Sequence, residues 1–113
     1  MQAQKVNRSF GFSIGVGDAA KDIIAAPGEG KRIVLVSLIV QIVTSAAQAF
    51  DLADTSNTVK AAQFAASSPV GTYKLEWPHV GRRLTVNEAF RYLPAAAGNA
   101  LFVTGEYYIE GNL

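Results

Sequence analysis

The chain has 113 residues, 50% of them apolar and 17% charged, which is typical of one folded domain with its own hydrophobic core and excludes intrinsic disorder. Ten Lys and Arg residues nearly balance nine Asp and Glu residues, and the net charge of +1 gives no electrostatic footprint for nucleic acid or for an anionic membrane. With no cysteine and one histidine, the chain cannot form a disulfide, a zinc–thiolate site, an iron–sulfur cluster or a site with two imidazoles.

The beginning of the chain predicts an extended segment. No apolar stretch of the signal-peptide type follows Met1, and no run reaches the roughly 20 apolar residues of a membrane-spanning helix, so we expect neither. Apolar residues from Phe10 to Val16 alternate with glycine and serine, which indicates a strand weakened by its glycines. We therefore expect an extended N-terminal arm over residues 1–18, followed by a single domain over residues 19–113.

The next elements are a short extended stretch from Lys21 to Ala26, a turn over Pro27–Gly30 and a long strand from Arg32 to Thr44. The long strand is rich in β-branched residues and apolar on both faces. Strict alternation predicts that one face of this strand carries Val34, Val36, Leu38, Val40 and Ile42. The other face then carries Ile33, Leu35, Ser37, Ile39, Gln41 and Val43. Such a strand is normally covered on both sides, so we expect a partner subunit or a neighbouring protein to provide the second cover.

The rest of the chain continues as short strands separated by turns. Alanines between Ala46 and Phe64 would also suit a helix, but the polar cluster Asp54–Thr58 in their middle indicates a hairpin turn instead. The further predicted strands are Thr72–Trp77, Leu84–Val86, Phe90–Leu93 and Leu101–Glu110. This spacing predicts an all-β protein, an antiparallel β-sandwich of jelly-roll type.

Residues that could carry chemistry are few. His79 lies in a turn without a second histidine, and Glu76 is its nearest carboxylate in sequence, so a surface or interface position is expected for it. The carboxylate pairs Asp18/Asp22 and Asp51/Asp54 bracket turns but lack the dense oxygen ligands of a calcium loop, and capping of the turns explains them. We therefore expect no enzyme, no catalytic residue, no metal and no cofactor. A small enzyme, the remaining alternative, would depend on Asp51 or His79.

Two features suit binding to a partner. Arg82 and Arg83, with Arg91, form a small basic cluster that could pair with acidic groups or phosphate, although a solvated loop has the same composition. Four aromatic residues could form a platform for sugar rings or pack in a core or interface: Tyr73, Trp77, Tyr92 and Tyr108. The candidate partner-contact residues are Phe10, Phe12, Tyr73, Trp77, His79, Arg82, Arg83 and Arg91.

Three stretches carry a resemblance to a known group of proteins. Residues 24–37 contain the turn Gly30-Lys31-Arg32-Ile33 before the long strand, Leu75-Glu76-Trp77-Pro78 forms an aromatic–proline turn, and residues 95–103 read Ala-Ala-Ala-Gly-Asn-Ala-Leu-Phe-Val. The last strand then ends in Tyr107-Tyr108. Over Asp22–Glu110 the sequence resembles small structural proteins of tailed bacteriophages, namely jelly-roll capsid decoration (cement) proteins and domains of head or tail fibres. It departs from their pattern between Val80 and Leu93, where it is longer and more basic.

The resemblance implies a role in a virion. It implies a non-enzymatic decoration protein that binds the outside of a phage capsid and stabilises it through many repeated contacts. The implied partners are the major capsid protein and other copies of this chain, with a trimer favoured over a dimer, and neither nucleic acid nor membrane. The implied location is the capsid surface, after assembly in the host cytoplasm. The alternative is a fibre or tail receptor-binding module that recognises host glycans through Tyr73, Trp77 or Tyr92.

Overall fold

The structure is a computed structural model that describes residues 6–44 and 46–111. Within these two ranges the chain forms nine strands and no helix, so none of the described residues lies in a helix that could cross a membrane. The strands are β1 (Arg8–Ile14), β2 (Lys21–Ile24), β3 (Arg32–Ile42), β4 (Phe50–Asp54), β5 (Lys60–Phe64), β6 (Gly71–Glu76), β7 (Arg82–Arg83), β8 (Phe90–Pro94) and β9 (Leu101–Glu110).

The strands form two antiparallel sheets. The first sheet has the order β1-β9-β3-β6, with the two-residue β7 also paired to β3, and the second has the order β2-β8-β4-β5. Apart from β4 and β5, which form a hairpin in the second sheet, each successive long strand lies in the opposite sheet. This order is consistent with a jelly-roll-like arrangement, and the predicted antiparallel β-sandwich is confirmed.

The core lies between the two sheets. Phe50 stacks on Phe64 with ring centroids 4.8 Å apart and meets Tyr92 at 5.5 Å, so aromatic rings fill the space beside the aliphatic residues of β3. The largest side chains with less than 2% exposure include Tyr92, Phe90, Ile33, Leu35, Leu38, Ile42, Leu52 and Leu84.

A β-bulge in β3 overturns the predicted alternation of this strand. Its register to β9 shifts between Leu35 and Ser37, so the side chains on the two sides of Val36 change phase. The residues of β3 in the core cluster are therefore Ile33, Leu35, Leu38, Val40 and Ile42, which strict alternation had divided between two faces. The interpretation of two continuous apolar faces was wrong because one extra residue reverses the direction of every side chain after it.

The second cover of β3 near the bulge comes from the same chain. Val34 points away from the core and is nevertheless 0% exposed, because the loop after β6 packs on it. A Cβ at Gly81 would overlap Val34, and the amide of Trp77 donates to the carbonyl of Val36 at 3.0 Å. Farther along the strand, Gln41 is exposed. We expected a partner to cover this face of β3, but at Val34 a loop of the same chain covers it.

Two further elements differ from the sequence predictions. The short strand expected at Leu84–Val86 is replaced by β7 just before it, because Arg82 and Arg83 pair with β3 while Leu84 is buried in the core. In the region of the predicted arm, Arg8–Ile14 forms β1 and pairs with β9 along its whole length, and Ile14 is only 3% exposed. Residues 1–5 of that region lie outside the described residues.

The strand registers divide the connections between two ends of the sandwich. At one end, Ile14, Leu101, Ile42 and Gly71 stand side by side across the first sheet. The connections between the sheets at this end are residues 15–20, 43–49, 65–70 and 95–100. At the opposite end, Arg32 is paired with Glu110, so both ends of the described chain lie there.

Candidate protein-interaction site

Three exposed valines mark the end of the sandwich formed by the connections 15–20, 43–49, 65–70 and 95–100, here called the valine end. Val16, Val43 and Val70 are 61%, 56% and 62% exposed. Val43 directly follows β3, Val70 directly precedes β6 and Val16 lies two residues after β1, so all three lie at the same end of the first sheet. Exposed apolar side chains grouped in this way are typical of a surface that binds another protein.

Hydrogen bonds between the connections hold the valine end together. Asn99 is 1% exposed, and its side chain both accepts from the amide of Gln48 at 3.0 Å and donates to the carbonyl of Gln48 at 3.2 Å. The same amide nitrogen donates to the buried hydroxyl of Tyr92 at 2.9 Å. Ala46 donates to the carbonyl of Ser68 and accepts from the amide of Ser67, so neighbouring loops are linked as well. These hydrogen bonds therefore fix the loops that carry Val43 and Val70.

The valine end is almost without charge. Among the described residues of its four connections, Asp18 alone is ionisable. Its carboxylate accepts from the amide of Gly15 at 2.8 Å and lies 3.1 Å from the ammonium group of Lys21, and these contacts lower the pKa of Asp18. Depletion of charge is the composition that distinguishes the centre of protein interfaces from other surface. Counting charges by loop would have identified this surface in the sequence.

The opposite end of the sandwich carries a shallow groove that contains two of the predicted contact residues. Trp77 and His79 line it, with Trp77 half-buried and His79 exposed. The remaining lining residues are Asn7, Val36, Pro78, Gly81 and Tyr108. Its cavity volume of about 150 Å³ is below the roughly 300–1,000 Å³ of sites for small molecules.

The structure separates the four residues of the possible aromatic platform. Tyr92 is 0% exposed and faces the core, where burial raises the pKa of its hydroxyl. Tyr108 is 6% exposed, and Tyr73 packs edge-to-face on Phe64 on another side of the sandwich, with centroids 5.2 Å apart. The interpretation of these four residues as one platform was wrong because strand alternation turns Tyr92 into the core.

Phe10 and Phe12 lie against the core rather than on a separate arm. The ring of Phe10 meets Phe90 and Tyr107 edge-to-face, with centroids 6.1 Å and 6.0 Å apart. Phe12 is half-buried, and the ammonium group of Lys21 lies 6.0 Å from its ring centroid. Both side chains therefore contribute packing between the sheets, and their proposed contact with a partner stays a prediction.

The predicted basic cluster is divided by the fold. Arg83 lies 3.3 Å from Glu110, which also forms a 2.7 Å ion pair with Arg32, and the hydrogen bond from Arg32 lowers the pKa of Glu110 more than any other contact. Arg91 lies on the second sheet and pairs with Asp22 at 2.6 Å. Two of the three arginines are therefore ion-paired within the chain and lie on different sheets, which explains why adjacency in sequence did not produce one basic surface.

Arg82 takes part in a different surface. It is exposed, and its Nε donates to the carbonyl of Lys60 at 2.9 Å, so it reaches from the first sheet to the free edge of the second. Together with Tyr73 it borders an open groove between β5 and β6.

The carboxylates at the turns bind backbone and side-chain donors. Asp54 is 0% exposed, and it accepts from the amides of Thr58 at 2.8 Å, Val59 at 3.2 Å and Thr85 at 3.1 Å, and from the Thr85 hydroxyl at 2.6 Å. Burial alone would raise the pKa of Asp54, but the hydrogen bonds from Thr85, Val59 and Thr58 outweigh it and lower the pKa. The predicted turn-capping role of Asp54 is confirmed. Among the described residues, no group of three or more His, Cys, Asp or Glu side chains could hold a metal ion.

Comparison with known proteins gives a similarity of fold. No protein-family model and no curated protein matches this sequence. The structure is similar to a chain of the cyanophage Pam1 capsid asymmetric unit, with a TM-score of 0.54, and the match covers 92% of this chain and 84% of that chain. The sequences are 12% identical, so the shared property is the fold. The chain is thus an antiparallel β-sandwich with the architecture of a chain from a phage capsid asymmetric unit.

Proposed function

We propose that this chain is a structural protein of a tailed-bacteriophage virion and catalyses no reaction. The observation that carries the proposal is the match of nearly the whole β-sandwich to a chain of the cyanophage Pam1 capsid asymmetric unit. The sequence resemblance over Asp22–Glu110 points to the same class of protein independently of that match. The carboxylates at the turns also support the proposal, because Asp18 and Asp54 are engaged in holding loops.

Within the virion we propose a decoration role on the outside of the capsid, with the major capsid protein as the principal partner and assembly in the host cytoplasm. A decoration protein has to stay dispersed before assembly and then bind a repeating surface. The valine end suits the contacts that neighbouring copies make in such a layer, because it offers a small apolar surface with little charge. A contact of modest affinity is sufficient on a shell, since many repeated contacts combine into a strong clamp.

We further propose that copies of this chain associate with one another, as a trimer in preference to a dimer. The three valines support self-association, because an apolar surface with one internally paired carboxylate places no unpaired charges opposite each other when two copies meet. For the N-terminal arm, residues 1–7 are the part that precedes β1, so the proposed arm contact with the shell or a neighbouring copy is assigned to them.

The deciding experiment is immunogold labelling of purified phage particles whose genome encodes this chain, imaged by electron microscopy. Antibodies are raised against this chain, and particles of an unrelated phage serve as the control. Label distributed over the heads is the expected result.

Label at the tail tip would replace the decoration role by the receptor-binding alternative, and a glycan array with a Trp77→Ala variant would then be the next step. Particles without label would contradict the virion role altogether. As a test of the arm, a chain lacking residues 2–7 should bind heads more weakly than the full chain, while its melting temperature stays unchanged because β1 is intact.

A further inference from the structure

The strands β5 and β6 form one open side of the sandwich, and β1 and β2 form the other. β5 is the last strand of the second sheet and β6 is the last long strand of the first, and among the described residues neither pairs with a second neighbour. Alternate backbone N–H and C=O groups of an edge strand point outward without a partner from the sheet, which makes such an edge a template for an added strand. The groove between these two edges is here called the β5–β6 groove.

Small and large side chains give the groove its shape. Ala61 and Ala62 on β5 stand beside Leu75 on β6 and leave a long depression, whose two halves have cavity volumes of about 550 and 480 Å³ and share Ala62, Gln63 and Leu75. At one end, the edge-to-face pair of Phe64 and Tyr73 closes the depression. An apolar floor of this kind accommodates alternate side chains of an extended segment.

The charges on the groove have one sign. Lys60, Lys74 and Arg82 line it, and no Asp or Glu is among its lining residues. Other basic residues of the chain, such as Arg32, Arg83 and Arg91, are ion-paired, whereas none of these three cations forms an ion pair with another described residue. No carboxylate of the described residues therefore balances the positive charge of the groove, and an acidic partner would complement it.

We propose that the β5–β6 groove binds an extended acidic segment of a different protein, which adds a strand to a free edge. Apolar side chains at alternate positions enter the groove over Ala62 and Leu75, and carboxylates pair with Lys60, Lys74 or Arg82. A second copy that docks through the same edge is disfavoured, because two-fold pairing would bring these cations against each other. This inference does not depend on the virion role.

The test is a titration of the ¹⁵N-labelled full chain with synthetic nonapeptides, followed by two-dimensional NMR. The acidic probe has the sequence Thr-Val-Glu-Val-Thr-Val-Glu-Val-Thr, with both termini blocked, and the basic probe has Lys in place of both Glu residues. A ten-nucleotide oligothymidine serves as a polyanion without an apolar strand pattern. We expect the acidic peptide to shift amide signals of residues 60–64 and 71–76, and the other two probes to leave them unchanged.

Matched variants connect the binding to the charges. Lys74 is exposed on the groove, and Lys31 is exposed in the connection between β2 and β3. Lys74→Glu should lower the affinity for the acidic peptide about fivefold, which corresponds to the upper free energy of one exposed ion pair. Lys31→Glu should leave the affinity unchanged. The proposal is overturned if both peptides bind equally, if the oligonucleotide alone binds, if the shifts lie outside β5 and β6, or if the two variants behave alike.

Discussion

Asp54 shows how one carboxylate fixes the position of two separate segments. Its oxygens bind Thr58 and Val59 in the β4–β5 turn and Thr85 in the segment before β8, so they join residues that are far apart in sequence. The side chain is fully buried, and each of these donors would be left without its acceptor if the carboxylate were removed. The effect on stability is therefore expected to be larger than that of a surface turn residue.

We predict that Asp54→Asn lowers the free energy of unfolding at pH 7 by about 2–3 kcal/mol, because charge-assisted hydrogen bonds are replaced by an amide with only one acceptor. The folded state lowers the pKa of Asp54, so its contribution is complete above the unfolded pKa of about 4 and is lost as the pH falls through the lower folded pKa. Urea unfolding from pH 7 to pH 2 should show the two proteins converging in stability below about pH 4.

The matched control is Asp51→Asn in the same hairpin. Asp51 accepts one hydrogen bond, from the side chain of Asn57 at 3.1 Å, so its replacement should cost less than about 1 kcal/mol. Equal losses in the two variants, or a gap between wild type and Asp54→Asn that persists unchanged at pH 2, would contradict the proposed role of the buried carboxylate.

At the scale of elements, β9 owes its close contact with β3 to Gly105. The residue lies opposite Leu38, next to the bulge, and a Cβ there would overlap the carbonyl oxygen of Ser37 and lie 3.1 Å from the ring of Phe10. A bulge brings the backbone of one strand toward its neighbour, and glycine accommodates this approach.

Gly105→Ala is predicted to lower the free energy of unfolding by about 3 kcal/mol, because either β3 or the Phe10 ring has to move. Chemical denaturation measures the loss. Gly17→Ala is the control, since a Cβ at Gly17 would have no heavy atom within 4 Å, and its effect should stay below about 0.5 kcal/mol. A Gly105→Ala protein as stable as the control would show that the strands separate here without cost.

The same elements show what the sequence could and could not predict. Alternation correctly indicated β6 and β9 because each has one face on the core and no irregularity that changes its phase. It failed in β3, since the bulge at Val36 depends on pairing with β9 and leaves no mark in local composition. It also could not foresee that Arg83 meets Glu110, because that contact joins two strands through the sheet order. The valine end was not predicted because the sheet order brings its separate loops together, and the only signal in the sequence is the lack of charge in those loops.

At the scale of the whole molecule, the two ends of the sandwich differ in chemistry. The valine end combines exposed Val16, Val43 and Val70 with a single, internally paired carboxylate. The opposite end carries Val80, which is 66% exposed, beside His79 and near the Arg83–Glu110 pair. If copies of the chain associate through the valine end, changes at the two ends will have different consequences.

We predict that the full chain self-associates in a concentration-dependent manner. The double variant Val43→Ser and Val70→Ser should raise the dissociation constant about thirtyfold, since the two lost apolar contacts contribute about 1 kcal/mol each. Sedimentation velocity measures the distribution. Val80→Ser, an equally exposed valine at the opposite end, should leave it unchanged. A monomeric wild-type chain at every concentration, or an equal effect of Val80→Ser, would exclude the valine end as the contact between copies.

The start of β1 and the end of β9 both lie at the end of the sandwich opposite the valine end. Arg8 is paired with Tyr107 and Arg32 with Glu110, so a peptide or protein fused before β1 or after β9 would project from the end opposite Val16, Val43 and Val70. If copies of the chain meet through their valine ends, such a fusion would point away from that contact at either terminus. The sandwich is therefore suited to display, because a fused protein and the valine end lie at opposite ends of the molecule and can be engineered separately.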